Sequence, residues 1–81
     1  MYFVYTLKSL KNNKRYTGYT SKEIFERLKE HNTGCNKWTR ENGPFQLVYF
    51  EEYLSKPEAI KREKFLKSGQ GRQFLNNIIK V

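Results

Sequence analysis

Four tyrosines fall in two short apolar segments near the N-terminus, Tyr2 and Tyr5 in the first, Tyr16 and Tyr19 in the second. A phenol both donates and accepts hydrogen bonds. With an ordinary pKa of about 10 it serves as a base near neutral pH only where neighbouring cations or a metal lower that value. Packing is the usual role of any single strand tyrosine, but two hydroxyl-bearing strands beside a basic helix make a phosphate-binding face. A second oddity lies farther along. At about 100° per residue, with Ala59 at zero, Glu63 falls near 40° and Leu66 near 340°, so Glu63 sits within the apolar stripe. A carboxylate there is costly unless a cation, a metal or a strong donor set meets it. The plain alternatives are a rotated or frayed helix, or a structural salt bridge. Glu58 is adequately explained as a helix cap. On the earlier helix, with Ile24 at zero, Arg27 and His31 fall near 300° and 340°, about one turn apart at the edge of the apolar stripe. Alone, His31 reads as a polar side chain near a helix end and Arg27 as a rim arginine. Together with the tyrosines they are expected to face the same cleft as Glu63.

The chain around these residues is short. Its 81 residues make one domain, 1–81, with a thin core. Lys and Arg number 16 and acids 8, all of them glutamate, for a net charge of +8. Six Tyr, six Phe and one Trp argue against a disordered basic tail. A basic, aromatic-rich domain points to a polyanion partner, most simply nucleic acid. One Cys excludes an internal disulfide framework, and with one His it cannot build a structural zinc site. No apolar run approaches the ~20 residues of a membrane span, and no signal segment opens the chain. A cytoplasmic protein with no membrane partner is expected.

Periodicity supplies the elements. Met1 to Leu7 reads as a strand, Lys11-Asn12-Asn13-Lys14 as a turn and Arg15 to Thr20 as a second strand, together a hairpin. Gly18 inside it marks a bulge or a close approach. Thr20-Ser21-Lys22-Glu23 fits a capping box for a helix running to His31 or Asn32, with Gly34 as a left-handed cap. Residues 35–44 read as a polar loop carrying Lys37, Trp38 and Arg40. Phe45 to Tyr53 is the third strand. Ser55 to Glu58 caps a helix ending near Ser68-Gly69, and Gly71 restarts a short final helix. The order ββαβαα predicts an α+β domain with a small antiparallel sheet.

Phe3-Val4-Tyr5 followed by Tyr16-Thr17-Gly18 resembles the paired signature of the GIY-YIG nuclease superfamily. Phe25 to His31 resembles that family's arginine-bearing helix, and Glu58 to Glu63 its later helix, where the second glutamate is the metal ligand. The resemblance runs from Tyr2 to about Leu75 and is nearest to small stand-alone bacterial proteins similar to the N-terminal nuclease domain of the excision-repair incision enzyme. It implies a three-stranded antiparallel sheet flanked by helices and phosphodiester hydrolysis with a single divalent ion, Mg²⁺ or Mn²⁺, held by Glu63. Tyr16 would be the general base, Tyr5 would orient Tyr16 or the water, and Arg27 would stabilise phosphoryl charge. His31 would hold the phosphate or tune a tyrosine, and Gly18 would let the phosphate backbone approach. The sequence departs from the pattern at Phe3 and Thr17. Tyr19 also stands where several active members carry a lysine. The family's late asparagine matches Asn76 or Asn77 only loosely.

The absence of aspartate agrees with a single-carboxylate site, since two-metal nucleases need a cluster of acids. Glu51 and Glu52 form the one rival pair and are expected to be solvated. The leading expectation is a metal-dependent endonuclease on DNA, in repair or recombination, without a small-molecule cofactor. The alternative is a non-catalytic nucleic-acid-binding module of the same fold, and a protein-interaction domain ranks third. Tyr19, Lys37, Trp38 and Arg40 are expected at the substrate, Trp38 either stacking on a base or lying back on the sheet. Cys35 is expected to be a bystander. The substrate's structure and the oligomeric state are open.

Overall fold

The computed structural model describes residues 1–34 and 36–79. Cys35, named above as a bystander, lies outside the described residues. Strand β1 (Tyr2–Ser9) is central in a three-stranded antiparallel sheet of order β2-β1-β3, with β2 spanning Arg15–Thr20 and β3 Phe45–Tyr53. Helices α1 (Ile24–Asn32) and α2 (Lys37–Asn42) lie between β2 and β3, and α3 (Lys56–Lys67) and α4 (Gly69–Ile78) follow. This is the expected α+β fold with one helix more than predicted.

Side chains alternate across a strand, and β1 is buried on both faces. Val4 faces a core of Ala59, Leu66 and Leu75 supplied by α3 and α4. Its neighbour Tyr5 faces the other way, into a cluster with Leu7, Ile24 and Phe45 covered by α1 and α2. Each fully buried leucine here contributes about 1.5–3 kcal/mol. On β3 the alternation changes phase. Thr6 pairs with Tyr49 but Leu7 with Leu47, so Val48 is an extra, bulged residue. Phe45 and Leu47 therefore join the α1 side, while Tyr49 and Tyr53 join the α3 side. A simple period-two reading of this strand cannot give that split.

Local chemistry explains the ends. Asn13 takes a positive φ of 62° in the hairpin turn, a conformation asparagine tolerates. The Ser9 hydroxyl accepts from the Lys11 and Asn12 amides and donates to the Asn42 carbonyl, tying the hairpin to α2. Helix α1 begins later than the predicted capping box. Thr20 stays in β2, and Glu23 is itself the cap, its carboxylate accepting from the Phe25 and Glu26 amides. Gly34 has φ 79°, the expected left-handed position. The predicted polar loop contains α2, held by a reciprocal Asn36–Thr39 capping box. Ser55 caps α3 as expected, and Ser68, not Gly71, starts α4.

Gly71 has another purpose. A Cβ there would lie 2.0 Å from the Phe65 carbonyl oxygen, so its lack of a side chain lets α4 pack against the end of α3. Gly69, two residues earlier, has nothing within 4 Å of that position. Gly71→Ala is expected to cost about 1–3 kcal/mol as an overpacking change. Gly69→Ala is expected to be neutral or to stabilise by about 0.4–1 kcal/mol. Urea unfolding of the two variants checks the contrast.

Candidate active site

Tyr5 lies mid-strand in β1 and is only 1% exposed, so its hydroxyl needs protein partners. His31, from the last turn of α1, places Nε2 at 2.9 Å from that hydroxyl. Arg27, one turn earlier, donates to it from Nε at 3.3 Å. A guanidinium cannot accept, so the consistent arrangement has the Tyr5 hydroxyl donating to an unprotonated His31 Nε2. His31 is completely buried. Burial pushes its pKa below 6.5 and the Arg27 charge pushes it further, against a smaller opposing effect of Glu30, so His31 is neutral at pH 7.

Tyr16 completes the group. Its ring lies 4.9 Å from the His31 ring and 6.3 Å from that of Tyr5, centroid to centroid. The half-buried Tyr16 makes no hydrogen bond through its hydroxyl to any described residue. One phenol is thus locked and dry while the other is open to a water or a ligand. Gly18 pairs with Tyr5 across the hairpin. A Cβ at Gly18 would stand 2.9 Å from the Tyr5 oxygen and 3.1 Å from the Tyr16 ring. The glycine therefore makes room for the two phenols. Arg27 is steered by Glu30, which accepts from its Nη1 at 2.8 Å and also pairs with Lys22. The hydrogen bonds from Lys22 and then Arg27 hold Glu30 below the usual carboxylate range.

The sequence thus anticipates the convergence of Tyr5, Tyr16, Gly18, Arg27 and His31. Helix α3, which carries Glu63, packs on the Val4 face, whereas Arg27 and His31 come from α1 on the Tyr5 face. Glu63 lies on the buried stripe between Ala59 and Leu66, with its side chain 16% exposed. Among the described residues its ion-pair partner is Lys67, at a loose 3.8 Å. Tyr19 also points to the α3 side, packed against the Val4 core, because it neighbours Gly18 in an alternating strand. Trp38 lies back on the sheet, stacked on Phe45 at 5.5 Å and 15° and 5.4 Å from Tyr16. Lys37 and Arg40 are exposed on α2, Lys37 facing Glu41 at 3.9 Å and Arg40 bonded to the Gly34 carbonyl. Asn76 accepts from Arg15 Nη2 at 2.7 Å.

Glu51 is not solvated. It is 16% exposed and receives Arg62 Nε and Nη2 at 2.9 and 3.0 Å, together with the Tyr49 and Tyr53 hydroxyls. Burial alone would raise its pKa, but these hydrogen bonds outweigh it and hold the carboxyl below its usual range. Burial, followed by the bond to Glu51, pushes Tyr53 up to about 12. Sequence reasoning does not find Glu30 or Glu51 as anchors. The i,i+3 spacing of Arg27 and Glu30 is a readable signal, whereas the Glu51–Arg62 pair joins a strand to a helix.

The family model of the GIY-YIG catalytic domain matches residues 1–76. The chain belongs to the GIY-YIG family. A UPF0213 protein of Clostridium perfringens is 47% identical over 68 residues, covering 83% of this chain and 71% of that protein. One from Staphylococcus haemolyticus is 40% identical over 78 residues, covering 95% and 93%. The solution structure of a UPF0213 protein from Bacillus halodurans superposes with a TM-score of 0.56 at 37% identity, covering 95% of this chain and 84% of that one. The matched residues include Tyr5, Tyr16 and Gly18, which lie together beside His31. GIY-YIG nucleases generally depend on a divalent metal. The described residues contain no group of three or more His, Cys, Asp or Glu placed to hold one. A lone, largely buried carboxylate such as Glu63 fits an ion that keeps several waters and takes its other ligands from substrate phosphate.

Two outcomes follow from this geometry. Between pH 6.5 and the lower folded pKa of His31, the unfolded chain binds a proton that the folded chain does not. Stability is therefore full above about pH 6.5 and falls below it by at most about 1.4 kcal/mol per pH unit. The contribution of Glu51 is present above its usual range and is lost at more acid pH. Urea titrations across pH should show the first slope flattened in His31→Gln; an unchanged slope would assign it elsewhere. Gly18→Ala is expected to cost about 1–3 kcal/mol and to displace the Tyr5 hydroxyl, read as loss of the His31 ring shifts by NMR.

Proposed function

We propose that this protein is a divalent-metal-dependent endonuclease that hydrolyses phosphodiester bonds in DNA, in repair or recombination. The observation that carries the reading is the pairing of a locked phenol, Tyr5, with an open one, Tyr16, around a neutral buried histidine and a fixed arginine. Tyr16, as the phenolate, takes the proton of the attacking water and becomes the neutral phenol; its hydroxyl has no hydrogen-bond partner among the described residues. Tyr5 is a positioning residue. Its oxygen is fixed by Arg27 and its proton by His31, and its ring holds Tyr16 in place. His31 is fully buried, so it acts through Tyr5 and does not touch phosphate. Arg27, held by Tyr5 and Glu30, brings a fixed positive charge suited to the charge developing on the phosphoryl oxygens. Mg²⁺ or Mn²⁺, carried by Glu63, would supply charge stabilisation at the phosphorus and the leaving oxygen.

The lack, among the described residues, of further carboxylates or histidines grouped with Glu63 to hold a metal favours a second reading, a nucleic-acid-binding module that keeps the fold without cutting. One experiment separates the two. Plasmid, nicked and branched DNA are incubated with the protein and either Mg²⁺ or Mn²⁺. Cleavage is expected, with Tyr16→Phe slower by about 10²–10⁴-fold and Glu63→Ala inactive. Cutting no greater than that of Glu63→Ala, with binding retained in both, would establish the non-catalytic module instead.

A further inference from the structure

The sheet face away from Tyr5 and Tyr16 carries a cleft of about 320 Å³ between β2 and the junction of α3 and α4. Its floor is Leu66 and Leu75, and its walls are Thr17, Arg15, Lys67 and Arg72. Three cations meet there, and among the described residues no carboxylate lines the space. Arg15 is oriented by the Asn76 side chain through Nη2, and its other guanidinium N–H groups have no hydrogen bond among the described residues. Among the described residues Lys67 pairs with Glu63, at 3.8 Å. Arg72 is exposed and forms no ion pair among the described residues. Like charges gathered around one cleft repel each other, and an anion bound between them relieves that cost. Guanidinium forks match tetrahedral oxyanions in geometry as well as charge.

Strand alternation places this cleft relative to the tyrosines. Arg15 and Thr17 line it, while Tyr16 and Gly18, the residues between and beside them, face the Tyr5 side. Because β2 is an edge strand, a chain of phosphates can pass around it from one face to the other. Glu63 lies one helical turn before Lys67, on the cleft's side of the sheet. We infer that the Arg15–Lys67–Arg72 cleft is a subsite for a backbone phosphate flanking the one presented to Tyr16, so that a bound strand crosses the β2 edge. This rests on the nucleic-acid part of the reading above and not on catalysis.

The test is an NMR titration without metal, at low salt, so that an absence of cleavage bears on the nuclease reading alone. The probes are a short single-stranded DNA with 5′-hydroxyl ends, the same strand with a 5′-phosphate, and inorganic phosphate. The Gly71 amide and the Arg72 side chain report on the cleft, and the Trp38 indole reports on the tyrosine face. The 5′-hydroxyl strand is expected to shift both sets of signals. Arg72→Glu, at an exposed position that spares the core, should abolish the cleft shifts. It should also lower the slope of log affinity on log salt by about 0.7 for each phosphate that the variant no longer neutralises. Lys56→Glu makes the same change in net charge at the far end of α3 and should keep the cleft shifts. The inference is overturned if the 5′-hydroxyl strand moves Trp38 alone, or if Arg72→Glu and Lys56→Glu behave alike. A cleft response only to the 5′-phosphate or to inorganic phosphate would also overturn the backbone assignment.

Discussion

The Tyr5 hydroxyl sits where water does not reach, in the middle of the central strand, and it must find its hydrogen bonds within the protein. His31 and Arg27 supply them, and much else follows from that requirement. Both come from α1, so the phase of that helix against the sheet is set by a polar contact as well as by Ile24. The space the phenol occupies dictates a glycine at 18 on the neighbouring strand. The same burial keeps His31 neutral, which lets its Nε2 accept the phenolic proton. Stability and the proposed chemistry therefore draw on one interaction.

The other face is built on a similar principle with different chemistry. Glu51 cannot be left bare at its position beside Tyr49 and Tyr53, and the Arg62 fork meets it with two bonds. The guanidinium in turn lies 4.8 Å and 4.9 Å from the Phe65 and Phe74 ring centroids. A strand, α3 and α4 are thereby joined through one ion pair and two aromatic faces. Removing one member of so enclosed a pair costs more than the pair is worth, because the other charge is left buried. This network shapes the α3 side as scaffold, while β2 forms one edge of the sheet. The +8 charge of the chain has its clearest expression there, in Arg15, Lys67 and Arg72.

Much of this is legible in the residues. β2 and β3 run over the predicted residues because aromatic and β-branched runs bounded by turns suit strands. The helix wheel places Arg27, His31 and Glu63 on buried faces, and each is buried or half-buried. Helix α2 is not legible: six residues with no apolar period give no signal, and an asparagine capping box is weak evidence by itself. Glu51 reads wrongly as solvated, because a charged residue near a strand end looks exposed until a partner from another element is known. Trp38 is resolved only by the nearness of Phe45, seven residues away and across a turn.

The sequence by itself determined the sheet, the two sets of helices, the basic charge and the group of residues able to handle a phosphodiester. These rest on periodicity, on side-chain chemistry and on spacing within single elements. The tertiary structure alone decided which face each residue serves. The register of β1 against β2 put Gly18 under Tyr5. The bulge at Val48 divided β3 between two cores. The packing of α3 on the Val4 side set that helix on the opposite sheet face from α1. A helix wheel fixes a residue's direction relative to its own axis, but the side of the sheet on which that axis comes to rest is chosen by contacts between elements distant in sequence.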